Sequence, residues 1–117
     1  MEFYLLVRTK GFNAERQALN YLKRQGLTLI SQNYSSRFGE IDLIMQGKAE
    51  IIFIEVRYRK NNNFGSPAAT VNFKKQQRII KTAYSYLNSL PFTPPCRFDV
   101  IAITASELEW IQDAFQV

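Results

Sequence analysis

The spacing of apolar residues first predicts an amphipathic helix near the start of the chain. Its apolar stripe contains Ala14, Ala18, Leu19 and Leu22, which recur at helical intervals. Asn13 belongs to a residue type that caps helix N-termini, and Gly26 to the type that ends helices. We therefore expect a helix from Asn13 to about Gln25. Glu15 falls in its first turn, where a carboxylate suits the helix dipole by itself.

Dense β-branched and aromatic content then predicts three strands in succession. The strands are Leu27–Asn33, Glu40–Gln46 and Ile51–Arg59, joined by a polar connection, Tyr34–Gly39, and a turn, Gly47–Glu50. Because residues 51–54 are apolar on both faces, we expect the third strand at the centre of the sheet, covered by helices. A long polar loop, Lys60–Ala69, follows it.

The helical period returns from about Val71 to Leu90. Its inward side holds Ile79, Ile80, Ala83, Tyr86, Leu87 and Leu90. After the prolines of residues 91–95 we expect a strand at Arg97–Thr104, then a short strand or helical turn at Leu108–Phe115 that Trp110 packs down. This order predicts one α/β domain over residues 1–117, in which helices flank a mixed sheet.

Charge is distributed unevenly along the chain. Residues 1–97 hold all 15 Lys and Arg with 6 acids, a net charge of +9, whereas residues 98–117 hold 4 acids and no base. A basic body favours a polyanionic partner, although the same charges also suit a solvated surface.

Three absences limit the chemistry and the location. The chain has no histidine, which excludes histidine-dependent triads, histidine bases and histidine-ligated zinc. The lone Cys96 excludes an internal disulfide, agrees with a reducing compartment, and suits simple packing. No apolar run approaches a membrane span, and Glu2, Arg8 and Lys10 bound the apolar N-terminal segment too closely for a signal peptide. We expect a soluble cytoplasmic protein that uses Asp, Glu and Lys, with Mg²⁺, Mn²⁺ or Ca²⁺ as the favoured metals.

Two of the acids are expected to meet on adjacent strands. If residues 47–50 close a four-residue hairpin with Gln46 opposite Ile51, Asp42 comes opposite Glu55 on the same face. Two half-buried carboxylates in this arrangement repel each other, and a divalent cation would stabilise them. The alternative is neutralisation by an ordinary salt bridge. The candidate cations are Arg57, Arg59 and Arg97.

Three ordered motifs carry a family resemblance. They are Gly39-Glu40-Ile41-Asp42, Glu55-Val56-Arg57-Tyr58-Arg59 and Arg97-Phe98-Asp99-Val100. Over nearly the whole chain the sequence resembles the YraN-type family of small bacterial proteins. That family is itself similar to archaeal Holliday-junction resolvases and to the PD-(D/E)xK nucleases, which implies a restriction-endonuclease-like fold.

The resemblance also implies roles for individual residues. Asp42 and Glu55 would ligate Mg²⁺ or Mn²⁺, with the Val56 carbonyl as a third ligand, and Glu15 would approach the site from the first helix. Arg57 stands where the superfamily normally has a lysine. Since an arginine stays protonated, it can supply charge and hydrogen bonds but cannot deprotonate water.

A row of basic residues on the second helix indicates a nucleic-acid surface. Lys74, Arg78 and Lys81 fall on one stripe with Lys75 beside them, and such a row can contact successive phosphates. The resemblance implies that Lys75 and Arg78 match basic positions of the helix that follows the core strands in the family. We also expect Arg59 to contact phosphate. The alternative is a solvated helix face. Several aromatic residues suit the core as well as base stacking, so they indicate neither role by themselves. They are Tyr21, Phe53, Phe73, Tyr84 and Phe98.

Three functions remain open at this point. The first is a metal-dependent endonuclease that cuts DNA, including branched or damaged DNA. The second is a nucleic-acid-binding module that has lost cleavage through Arg57. The third is an adaptor whose acidic tail docks a partner. The sequence also leaves open a homodimer, the arrangement of many resolvases.

Overall fold

The computed structural model describes residues 2–59 and 71–117, with side chains from Asn13 onward in the first range. The elements are α1 (Glu2–Arg24), β1 (Thr28–Ser36), β2 (Gly39–Gln46), β3 (Ile51–Tyr58), α2 (Phe73–Leu87), β4 (Cys96–Ile103) and β5 (Leu108–Phe115). This order agrees with the prediction, and the segment at Leu108–Phe115 is a strand. The predicted loop Lys60–Ala69 lies outside the described residues.

The five strands form one mixed sheet in the order β1-β2-β3-β4-β5. β1, β2 and β3 are an antiparallel meander, β4 pairs with β3 in parallel, and β5 pairs with β4 antiparallel. A parallel pair requires a crossover connection, and α2 lies in the chain between β3 and β4. The predicted α/β class is confirmed, and the arrangement is compatible with a restriction-endonuclease-like core.

Two apolar layers cover the two faces of the sheet. On one face, α1 packs Ala14, Ala18 and Leu22 against Ile52 and Ile54. On the other face, α2 packs Ile79, Ile80 and Ala83 against Ile51 and Phe53. Consecutive residues of β3 thus enter opposite layers, which is why this strand is apolar on both sides, as predicted for the centre of the sheet.

The predicted start of the first helix is wrong. α1 begins at Glu2, and Asn13 is an exposed position inside it. Asn13 therefore caps nothing, because the preceding residues are already helical. Glu15 consequently lies far from the first turn, so a helix-dipole role no longer explains its carboxylate.

No helix in the two described ranges is long and apolar enough to cross a membrane.

Two other boundaries differ from the prediction for local reasons. β1 continues to Ser36 because residues 34–36 pair with residues 39–41, so the connection to β2 is a tight turn. α2 begins at Phe73, where the Asn72 side chain accepts a hydrogen bond from the Lys75 backbone N–H at 2.8 Å. It ends at Leu87, three residues before Leu90.

Candidate active site

The site is built where β2 and β3 separate. Their ladder starts at Gln46–Ile51, as predicted, and ends at Leu43–Ile54, one step before Asp42 and Glu55. Beyond this point a side-chain hydrogen bond takes the place of a backbone one: Asp42 Oδ2 accepts the backbone N–H of Val56 at 2.8 Å. A backbone donor that would otherwise be left without a partner is thereby satisfied.

The alternation of β2 is interrupted at the same place. Ile41 and Ile44 both enter the core layer under α2, whereas Leu43 faces the α1 layer. In the neighbouring β1, Asn33 has a positive φ of 54° and lies between the Gln32–Leu43 and Tyr34–Ile41 pairs. The local backbone irregularity therefore coincides with the position of Asp42.

The carboxyl groups of Asp42 and Glu55 are in direct contact. They share a side-chain hydrogen bond, so one of them must carry a proton. Burial raises the pKa of Asp42 to about 9, and the hydrogen bond and negative charge of Glu55 add to this effect. The hydrogen bond from Val56 acts in the opposite direction but is outweighed. The two carboxyl groups therefore titrate as a pair, in which burial and their contact favour retention of one proton.

Glu55 is buried, with 6% of its surface exposed, and faces a lysine from α2. Its Oε2 lies 3.3 Å from Lys75 Nζ. This oxygen receives no hydrogen bond from the described residues, so the contact with the ammonium is electrostatic. Because Asn72 caps the first turn of α2 at the Lys75 N–H, the helix end that carries Lys75 is held against the carboxylate pair.

Glu15 reaches the same cluster from α1, as predicted. It is half-buried, and its carboxyl group lies within hydrogen-bonding reach of Asp42. With the Asn33 amide oriented so that its nitrogen faces the acids, this nitrogen donates to Glu15 Oε2 and Glu40 Oε1, at 3.2 Å each. Burial raises the pKa of Glu15, and the nearby charges of Glu40 and Glu55 raise it further. Acids from α1, β2 and β3 therefore converge on one point.

These residues fit a hard cation only in part. The described ranges contain no group of three or more Asp, Glu or Cys side chains that could hold a metal ion as placed. Asp42 and Glu55 nevertheless provide two adjoining carboxyl groups, one with a buried oxygen that accepts no hydrogen bond from these ranges. Such a pair suits Mg²⁺ or Mn²⁺, which commonly bind to one or two carboxylates and complete their shell with water. An ion would have to displace the Asp42 proton and compete with Lys75.

A comparison with known families covers most of the chain. Residues 14–103 match the model of an uncharacterised protein family, UPF0102. The chain belongs to UPF0102. A UPF0102 protein of Psychromonas ingrahamii is 57% identical over 110 residues, which cover 92% of this chain and 90% of the relative. Others are 50% identical in Saccharophagus degradans, over 90% and 91% of the two chains, and 46% identical in Coxiella burnetii, over 97% and 98%.

The UPF0102 match contains every acid of the cluster and the whole of α2, whereas β5 lies beyond it. On α2 the predicted basic residues separate into two groups. Lys74, Arg78 and Lys81 are exposed to solvent, whereas Lys75 is directed toward Glu55. Arg57 and Arg59 are half-buried at the end of β3, on the strand that carries Glu55.

The salt-bridge alternative is wrong for Arg97. Its guanidinium binds both oxygens of Asp99 at 2.8 Å and Glu50 at 2.9 Å, away from Asp42. Asp99 is fully buried and also accepts the Trp110 indole N–H and the Asp113 backbone N–H, at 2.9 Å each. The third motif of this UPF0102 chain thus holds β5 against β4 through Asp99. The predicted packing of Trp110 includes its hydrogen bond to Asp99.

Sequence reasoning missed two features of the UPF0102 site. The contact between Lys75 and Glu55 depends on how α2 docks, and the helical pattern assigned Lys75 only to a basic face. The sequence contains only a weak indication of a backbone irregularity at Asn33, since asparagine is depleted in strands and tolerates a positive φ. Neither signal indicated which acids these residues would meet.

Proposed function

We propose that this UPF0102 chain is a metal-dependent DNA endonuclease of the bacterial cytoplasm. The observation that carries the proposal is the buried pair of Asp42 and Glu55, held in contact at the end of the β2–β3 ladder with Lys75 beside it. A folded protein keeps two adjoining carboxyl groups and a lysine at a strand end at a cost in stability. Such costs are characteristic of functional sites.

The proposed reaction is hydrolysis of a phosphodiester. Water attacks the phosphorus, the bond from phosphorus to one sugar oxygen breaks, and that oxygen takes a proton from solvent. Asp42 and Glu55 would hold Mg²⁺ or Mn²⁺, with the Val56 carbonyl as a further ligand, and the ion supplies positive charge and more acidic water. Glu15 has a raised pKa and would accept the proton that the attacking water loses.

Lys75 would provide the positive charge that a lysine at position 57 provides in the resembling nucleases. Its ammonium lies 3.3 Å from Glu55 Oε2, so it reaches the same carboxylate from a helix instead of from β3. Arg57 would bind the phosphate by charge and hydrogen bonds. The exposed Lys74, Arg78 and Lys81 would contact the DNA backbone. The likeness of the motifs to archaeal Holliday-junction resolvases supports a branched substrate and a homodimer.

The test is a nicking assay with linear, nicked and four-way DNA in Mn²⁺, Mg²⁺ or chelator. We expect cleavage only with metal, and a loss of at least about 100-fold in Glu55→Gln and Lys75→Ala. Glu109→Gln is the matched control, since Glu109 is an exposed acid on β5, and it should cleave like the wild type. Activity that survives Glu55→Gln would overturn the assignment of the site.

One observation favours a second function, a DNA-binding module without cleavage. The Asp42 proton and the Lys75 ion pair stabilise the acid cluster without any metal ion. In that case wild-type protein binds DNA in a salt-sensitive way and does not nick it in any metal. Absence of both binding and nicking would leave the adaptor function.

A further inference from the structure

A second candidate site lies between the β1–β2 turn and the C-terminal half of α2. It is a surface pocket of about 680 Å³, within the usual size range of small-ligand sites. Its lining includes Arg37 and Phe38 from the turn, and Lys81, Tyr84, Ser85 and Asn88 from α2. None of the described residues that line it is acidic.

The turn is fixed to the helix, so the pocket is a built feature. Ser36 Oγ lies 3.1 Å from Thr82 Oγ1, which is fully buried. The same Ser36 oxygen accepts the Phe38 backbone N–H at 3.0 Å. Gly39 has a φ of 151°, and a Cβ at this position would lie 3.6 Å from the Arg78 Cβ. The backbone of the turn therefore approaches α2 closely, which sets the position of Phe38.

The lining combines aromatic rings with positive charge. The Arg37 guanidinium lies 4.8 Å and the Lys81 ammonium 5.7 Å from the centre of the Phe38 ring. Phe38 is 37% exposed and Tyr84 is 48% exposed, so the core assignment that the sequence allowed for Tyr84 is wrong. Both cations lie over the Phe38 ring. A ligand that has both a flat ring and a negative group can draw a cation to that group and stack on the ring face that the cation leaves.

We propose that this pocket binds one unpaired nucleotide of a DNA strand. The base stacks on Phe38 and Tyr84, its phosphate lies near Arg37 and Lys81, and Ser85 and Asn88 offer hydrogen bonds to the base edge. Only an unpaired base can enter, because the faces of a paired base are covered by its neighbours in the duplex. The pocket therefore recognises DNA by the presence of an unpaired nucleotide and is sequence-tolerant.

The position of the pocket links it to the acid cluster, and this part of the inference rests on the proposed function. Lys75 and Tyr84 are nine residues apart on α2, which is about 14 Å along the helix axis and two and a half turns around it, so a strand that joins them crosses the exposed side of the helix. The exposed Lys74, Arg78 and Lys81 lie along the same helix. A single strand can thus run from the acid cluster to the pocket along a row of cations, and the cut would fall near the unpaired nucleotide.

The test measures binding in chelator, where no cleavage takes place. The probes are a fully paired duplex and the same duplex with one extra, unpaired 2-aminopurine. We expect about tenfold tighter binding to the second probe and quenching of its fluorescence by stacking. Phe38→Ala and Tyr84→Ala should each remove about tenfold of this affinity. Phe38→Tyr and Tyr84→Phe retain the rings and should retain both signals.

Phe92→Ala is the matched control, because Phe92 is 62% exposed and outside the pocket lining. It should bind like the wild type, and thermal melting checks that every variant is folded. Equal affinity for the two probes, or no effect of the Phe38 and Tyr84 truncations, would overturn the pocket assignment. Preference for the RNA version of the probe would overturn the choice of DNA. Because these measurements need no metal, their failure leaves the cleavage proposal intact, and absence of nicking leaves the pocket intact.

Discussion

Asp42 combines two roles in a single side chain. It completes the backbone hydrogen bonding of β3 through Val56, and it holds a proton against Glu55. The first role stabilises the fold at any pH, because the carboxyl oxygen accepts the N–H in either protonation state. The second depends on pH, since burial and the contact with Glu55 place the pKa of Asp42 near 9.

This raised pKa makes the stability of the protein depend on pH. An unfolded Asp titrates near pH 3.9, so between about pH 4 and pH 9 the folded chain binds one proton more than the unfolded chain. The free energy of unfolding should therefore fall as the pH rises through this window. In Asp42→Asn this contribution to the slope should disappear. At pH 8 the free energy of unfolding of Asp42→Asn should exceed that of the wild type by about 1 kcal/mol or more. Urea unfolding in chelator at pH 5, 7 and 9 measures it.

Asp113→Asn serves as the control for this substitution, because Asp113 is an exposed acid with a positive φ of 53° that asparagine also tolerates. It should leave the slope of stability against pH unchanged. A wild-type stability that rises from pH 5 to pH 9, together with a destabilised Asp42→Asn, would contradict the protonated state of Asp42.

Metal binding should compete with the same proton. A metal ion needs the ionised carboxylate. We therefore expect the affinity for Mn²⁺ to increase as the pH is raised, by up to about tenfold per pH unit until pH 9, with release of about one proton per bound ion. Calorimetric titration in buffers of different ionisation enthalpy measures the released proton. Glu55→Gln should bind Mn²⁺ much more weakly at every pH. An affinity that does not change between pH 6 and pH 8 would rule out the competition.

Among the elements, α2 connects the fold to the proposed chemistry. Its first turn carries Lys75 beside Glu55, and its second half forms one wall of the pocket. The cap at Asn72 fixes the helix start, so the capping residue also positions Lys75. Packing of Ile79, Ile80 and Ala83 on the sheet determines which face of α2 remains exposed to solvent.

Removing the cap should therefore reduce both stability and activity. We expect Asn72→Ala to lower the free energy of unfolding by about 1 kcal/mol and to reduce nicking, because Lys75 loses its fixed position. Urea unfolding and the nicking assay measure the two effects. Asn20→Ala, at an exposed position inside α1, should match or exceed the wild type in stability. Unchanged stability and activity in Asn72→Ala would remove the positioning role.

The elements also show which parts of the structure local patterns can predict. The hairpin register between Gln46 and Ile51 followed from strand alternation and a four-residue turn, and it brought Asp42 and Glu55 together correctly. The start of α1 did not follow, because a good capping residue such as Asn13 is also tolerated inside a helix. The break at Asp42 coincides with the positive φ of Asn33 on the neighbouring strand, and the Lys75 contact depends on how α2 docks. Both arise between separate elements, which a local pattern does not describe.

At the scale of the whole molecule, the positive charge is concentrated in residues 1–97. Within this part, Lys74, Arg78 and Lys81 are exposed on the same helix that carries Lys75 and Tyr84. The buried Asp99 network attaches β5 to β4, and three of the four acids of residues 98–117 are exposed. A polyanion should therefore bind along α2 in preference to the β5 side.

DNA affinity should consequently decrease steeply with salt. Each phosphate contact contributes a slope of about −0.9 to the logarithm of affinity against the logarithm of salt concentration. Arg78→Ala should weaken binding to all DNA sequences and reduce this slope by about one. Fluorescence anisotropy between 50 and 200 mM salt, a range set by the usual sensitivity of such contacts, measures it.

Lys48→Ala is the control for charge alone, since Lys48 is exposed in the turn between β2 and β3. It should change the affinity little. Equal effects of Lys48→Ala and Arg78→Ala would indicate general attraction by the net charge instead of a binding surface on α2.

The parallel pairing of β3 with β4 has a consequence for the order of folding. The antiparallel meander joins residues close in the chain, whereas Ile51 pairs with Cys96, 45 positions away. Long-range pairing is slow because loop closure reduces chain entropy before contacts form. We expect the meander to form first and α2 with β4 to dock afterwards, so Glu55 becomes buried late. The cost of burying the acid cluster should then act mainly on the unfolding rate and leave the folding rate nearly unchanged.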